Sequence, residues 1–88
     1  GSQGSTQVHP REVFRAAVLA GAATIICVHN HPSGDPAPST ADINVTRGLK
    51  SAGDILAITV TDHIIIGRKP DDPAGLGYYS FKRAGVVL

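Results

Sequence analysis

From Val13 onward the apolar residues recur at helical spacing: Val13, Phe14, Ala17, Val18 and Gly21 form one stripe, with Arg11, Glu12 and Arg15 on the other side. His9-Pro10 opens this helix, because proline suits the first helical position, where its missing N–H costs nothing, and Gly21 ends it. The period then changes. Ala22 to Val28 (AATIICV) is a short continuous apolar run rich in β-branched residues, which predicts a buried central strand. Three prolines and a glycine make His29 to Pro38 a loop. Ser39-Thr40-Ala41-Asp42 carries the capping-box pattern, with Asp instead of Glu at its fourth place, and starts a second helix that runs to about Ala52 and stops at Gly53. Ile55 to Thr61 and His63 to Ile66 are β-rich runs separated by Asp62, hence one long bent strand or two strands with a bulge between them. Arg68 to Gly77 is again a loop, Tyr78 to Phe81 a last strand, and Lys82 to Leu88 a turn and tail. The order helix, strand, helix, strand, strand predicts an α/β domain, a mixed sheet flanked by helices.

Composition narrows the classes. At 88 residues, 42% hydrophobic and 17% charged, the chain has room for one core and belongs with globular proteins. Its longest apolar stretch, Ala16 to Val28, is interrupted by Gly21 and Thr24 and falls short of the roughly 20 residues of a membrane span, so no membrane partner is expected. Cys27 is alone and lies in an apolar run, which excludes an internal disulfide and points to a cytoplasmic compartment. A net charge of +1 lacks the electrostatic footprint of a DNA-binding module, and Arg68-Lys69 and Lys82-Arg83 are too short to make a basic patch. The chain begins close to its first helix with no strand ahead of it, which reads as a single partial domain; Gly1-Ser2 is either native or a cloning remnant.

The chemistry gathers in HNHPSGDPAPS, residues 29 to 39. Side chains two apart on extended backbone share a face, so His29 and His31 converge if the strand persists past Val28. Asp42 follows at the edge of the second helix's stripe Val45, Leu49, Ala52, bordering the buried side, where a cation would satisfy its carboxylate. Two imidazoles and a carboxylate suit zinc, and three protein ligands leave a fourth tetrahedral position for water, whose pKa the metal lowers to about 7. Each part has a plainer reading: histidines that merely bond a loop, and an aspartate that only caps a helix. Together the parts are far more specific.

His29, His31, Ser39 and Asp42 resemble the H-x-H-x₇-S-x₂-D signature of the JAMM, or MPN-plus, metalloproteases. Around it, HPREVFRAAVLAGA, VHNHPSGDPAPSTAD and DHIIIG are similar to the bacterial RadC branch of that family, from about His9 to Gly67, with a weaker likeness at YYSF. The resemblance implies zinc on His29, His31 and Asp42, a catalytic Ser39 that helps hold the tetrahedral oxyanion, a peptide or protein substrate, and the cytidine-deaminase-like α/β sandwich of JAMM domains. A hydroxyl at a helix start, three residues from a ligand, is placed to donate to charge developing beside a metal, and its role as N-cap can coexist with that.

The family also uses a glutamate base, on a strand before the first helix. Glu12 is the single glutamate here, and the helical projection turns it to solvent beside Arg15, so it matches the family's helix and not the base. Without that base roughly 10²- to 10⁴-fold in rate is forgone, and the strand that should carry it leaves a sheet edge open to a second copy of the chain. In Asp62-His63, alternation lets only one side chain face inward, and His63 reads as a core histidine or a support to a ligand. Cys27 shares strand parity with His29 but reads as a packed small hydrophobe, His9 as a helix-opening residue, and Asp71-Asp72 as a solvated loop. Gly34 is expected at positive φ, and Asp35 is expected to bond nearby backbone. Two further functions compete with a hydrolase: the DNA-repair role after which RadC is named, as nuclease or binding factor, and a catalytically silent domain that binds a partner. A zinc deaminase is excluded, because H-x-E and P-C-x-x-C are missing.

Overall fold

The computed structural model describes residues 9–86, so Gly1-Ser2 and the last two residues of the tail lie outside the described residues. Helix α1 (Pro10–Ala20) is followed by strand β1 (Thr24–Asn30), helix α2 (Thr40–Leu56), strand β2 (Thr59–Ile66), a single 3₁₀ turn (Lys69–Asp71) and strand β3 (Tyr78–Ser80). The sheet has the order β1-β2-β3, with β1 and β2 parallel and β2 and β3 antiparallel. Parallel neighbours need a crossover, and α2 supplies it. The expected α/β architecture with a mixed sheet and helices is therefore present.

Phe14 and Ala17 of α1, Leu49 of α2, Cys27 of β1, Val60 of β2 and Ile58 just before it form one buried cluster. The first helix buries a narrower face than its pattern promised: Phe14 and Ala17 are inside and Val13 partly so, while Val18 is 58% exposed. Gly21 does end α1, at φ 67°.

Three expectations need correction. First, β1 is an edge strand among the described residues rather than a central one. It pairs only with β2, and its side chains alternate: Ile25, Cys27 and His29 turn inward while Ile26 and Val28, on the other face, stay exposed. Second, Gly53 does not stop α2. The helix runs through it to Leu56 and ends at Ala57, whose φ of 56° puts a non-glycine residue in the left-handed region. Gly53 is required for another reason: the returning chain lays the Ile58 carbonyl where a Cβ would sit, and Ile58 N–H donates back to Gly53 O at 2.9 Å. Ile55 and Leu56, read as the start of a strand, form the exposed last turn of α2.

Third, both Asp62 and His63 are buried. The runs on either side of Asp62 make one continuous strand, and the bulge falls one residue earlier: Ile25 pairs with Val60 and Ile26 with Asp62, which leaves Thr61 unpaired. His63 is covered by α2 and by Phe81, whose ring stacks on it at a centroid distance of 5.2 Å. Asp62 is instead enclosed by the end of β3 and the turn behind it, where it meets Ser80 and Lys82. Covering the sheet from both sides here defeats the one-face-in rule.

Candidate metal centre

The strand that carries the two histidines runs further than its composition suggests. Asn30 still pairs with Ile66, and His31 N–H donates to Ile66 O at 2.9 Å, so extended backbone holds from His29 to His31. Their side chains consequently share one side, with ring centroids 5.2 Å apart. The prolines then turn the chain. Gly34 takes φ 89° as expected, and the Asp35 carboxylate accepts from Ala37 N–H at 3.0 Å. Arg68 N–H donates to Gly34 O at 2.7 Å, tying the loop to the chain that leaves β2.

Helix α2 begins where this loop ends. Ser39 is its N-cap, and the capping box is complete: Ser39 Oγ accepts from Asp42 N–H at 3.1 Å, and Asp42 Oδ2 accepts from Ser39 N–H at 2.7 Å. The box fixes the carboxylate beside the histidines. Asp42 Oδ1 lies 3.3 Å from His29 Nε2, and Oδ2 lies 3.0 Å from His31 Nε2. One ligand atom from each of the three residues falls within 4.8 Å of the others, at the carboxyl end of β1, where α/β folds place their ligands. Zinc takes imidazole nitrogen and carboxylate oxygen at about 2.0–2.2 Å, and the three residues offer that donor set together.

The hydrogen-bond chemistry of the set also fits a cation. His31 Nδ1 lies 2.9 Å from the Asp35 carbonyl, which can only accept, so the ring donates there through Nδ1 and keeps Nε2 for the Asp42 side. Between each Nε2 and the carboxylate lies a position for one positive charge, which a ring proton or a metal ion can fill. Burial holds His29 below the usual imidazole range, although Asp42 pulls the other way, and this disfavours a proton on its ring. Burial would raise Asp42, but the hydrogen bonds from Ser39 and the two imidazoles outweigh it and keep the carboxyl below the usual carboxylate range. The acid is therefore ionised at neutral pH and available to a metal.

Two residues stand behind His29, and one of them escaped the sequence reading. His63 Nε2 lies 2.8 Å from His29 Nδ1, and Thr46 Oγ1 lies 2.5 Å from His63 Nδ1. Burial, and then the neighbouring His29, push His63 down to about 4, so it is neutral. The expectation that His63 supports rather than ligates agrees with this geometry. Thr46 was the unseen member. The inward stripe of α2 is Thr46, Leu49 and Gly53, one position on from the centre of Val45, Leu49, Ala52, and a buried hydroxyl one turn after Asp42 was the available signal.

The remaining candidates divide clearly. Glu12 is exposed on α1. Cys27 is buried in the core, and burial pushes its thiol up, away from thiolate. His9 opens α1, its carbonyl accepting from Glu12 and Val13 N–H. Asp72 does more than sit in solvent: it accepts backbone N–H bonds from Ala74, Leu76 and Gly77 and so shapes its loop. Arg68 and Lys50 are paired with Asp71 and Asp54. Among the described residues no helix is long and apolar enough to cross a membrane.

Residues 1–86 match the family described as the RadC-like JAB domain. A UPF0758 protein of Caldanaerobacter subterraneus is 53% identical over 87 residues, covering 93% of this chain and 36% of its own. UPF0758 proteins of Trichlorobacter lovleyi and Thermotoga maritima are 54% and 46% identical, each over 99% of this chain and 35% and 36% of their own. The chain thus spans about a third of the length of these relatives.

Proposed function

This chain belongs to the RadC-like JAB domain family, and from that premise we propose that it is a zinc-dependent hydrolase domain acting on peptide or isopeptide bonds. The observation that carries the reading is the convergence of His29, His31 and Asp42, with one ligand atom from each within 4.8 Å of the others. In this reading the three residues hold zinc, which supplies Lewis acidity and a water of lowered pKa. Ser39 keeps its place as N-cap by accepting from Asp42 N–H, which leaves its hydroxyl proton free to donate to a substrate carbonyl oxygen as that oxygen gains charge. The Asp35 carbonyl holds the His31 ring, so the loop's prolines serve the geometry of a ligand. Glu12, exposed on α1, takes no part as base.

Metal analysis after purification without chelator tests this directly. One equivalent of zinc is expected in the unmutated chain and much less in Asp42→Ala and His31→Ala; substoichiometric zinc in the unmutated chain would end the metal reading. Hydrolysis of a peptide and isopeptide panel, with Ser39→Ala as control, tests the reaction class.

A further inference from the structure

The proton positions around His29 can be read from one fixed end. Thr46 Oγ1 lies 2.8 Å from the Asp42 backbone carbonyl and 2.5 Å from His63 Nδ1. A carbonyl has no proton to give, so the threonine's one proton goes to Asp42 O, and Thr46 must accept from His63. A neutral His63 that donates through Nδ1 presents a bare Nε2, 2.8 Å from His29 Nδ1. His29 must then carry its proton on Nδ1, which leaves Nε2 as a lone pair facing Asp42. With His63 neutral, as its full burial against the Phe81 ring requires, any other order puts two lone pairs or two protons together in this buried chain, where Thr46 is 1% and His63 0% exposed.

We propose that Thr46 and His63 are positioning residues which fix His29 in the tautomer that ligates through Nε2, by a directed chain of hydrogen bonds ending on the Asp42 carbonyl. The inference deepens the metal reading and rests on it for its purpose, but the proton order belongs to the chain itself. The relay starts and ends on the ligand set: Asp42 gives its side chain to the centre and its carbonyl to Thr46, which orients His63 and through it His29. It also gives β2 a role at a site otherwise built from β1 and α2.

The test uses Thr46→Val, which keeps the shape and removes the hydroxyl, with Thr46→Ser as conservative rescue and His63→Leu as a harsher variant. In the metal-free chain, ¹⁵N imidazole shifts should show His29 protonated at Nδ1 and His63 protonated at Nδ1. In Thr46→Val, His29 should become a mixture of tautomers, and affinity for Zn²⁺ alone should fall about 10- to 100-fold, the usual effect of removing such a support. Thr46→Ser should restore both. His29 protonated at Nε2 in the unmutated metal-free chain would overturn the proposal, as would a folded Thr46→Val with unchanged tautomers and zinc affinity. If the unmutated chain takes up no zinc, the metal reading falls, while the proton order is decided by the metal-free spectra.

Discussion

Asp42 and Asp62 are two ionised carboxylates on the same small fold, both held below their ordinary range, yet their surroundings are opposites. Asp62 is met by donors alone: the Ser80 hydroxyl, Lys82 N–H and its neighbour's own His63 N–H. Asp42 is met by Ser39 N–H on one oxygen, but both oxygens also face imidazole nitrogens, which donate to it only when protonated. The first acid is finished by the chain. The second is completed only by a proton or a cation between it and the imidazoles. A buried acid is therefore no sign of a metal site by itself; the informative feature is an acceptor set without donors to match it.

The largest effect should come from the unfinished acid. Asp42→Ala removes one of three ligands and should weaken Zn²⁺ binding by about 1,000-fold, beyond the 10- to 100-fold of a lost support, or about 4 kcal/mol of binding. Its cost to folding is that of a broken cap, about 1 kcal/mol. Zinc titration and urea unfolding read the two quantities separately. Zinc binding within tenfold of the unmutated chain would erase the contrast between the two acids.

Asp62→Ala should do the reverse. Removing the carboxylate strands the Ser80 hydroxyl and two backbone donors in a buried place, and bonds to a charged group are worth about 1.5–3 kcal/mol. A loss of about 3 kcal/mol in unfolding free energy is expected, with zinc affinity of the folded fraction unchanged. A variant as stable as the original would show that this acid is not what pins β3 to β2.

The two regions also differ in how legible they are. His29, His31, Ser39 and Asp42 lie within one short segment, so strand parity and helix capping sufficed to bring them together on paper. Thr46, His63 and Phe81 meet only through the packing of α2, β2 and the chain after β3, and no local spacing encodes that. The same cause explains the fold errors. Gly53 looks like a stop until the returning Ile58 carbonyl is seen against it, and AATIICV looks central until its pairing is known. Alternation allows only one of Asp62 and His63 inside, and the segment that buries Asp62 as well comes 18 residues later.

Acid sharpens the comparison further. Burial alone would raise Asp62, but the donors around it win, so its folded value is below the unfolded one of about 3.9. Between the two values the unfolded chain binds more protons. The stability Asp62 contributes is thus complete above about pH 4 and lost as pH falls through the folded value, with a slope of at most about 1.4 kcal/mol per pH unit for one group. The gap in unfolding free energy between the unmutated chain and Asp62→Ala should therefore narrow on acidification. Parallel curves from pH 5 to pH 2 would mean that the carboxylate's charge is not what its donors hold.

The smallest effect separates capping from ligation at Ser39. Ser39→Ala removes the hydroxyl that accepts from Asp42 N–H but keeps the backbone N–H that grips Asp42 Oδ2. About 1 kcal/mol of stability should go, and only a few tenths in Ser39→Gly, by urea unfolding. Zinc affinity should hold in both, because the remaining backbone bond still presents the carboxylate to the histidines. A fall in zinc affinity approaching that of Asp42→Ala would mean that the hydroxyl positions the ligand. Ser39 would then be a support of the unfinished acid, and the oxyanion role would have to be sought elsewhere.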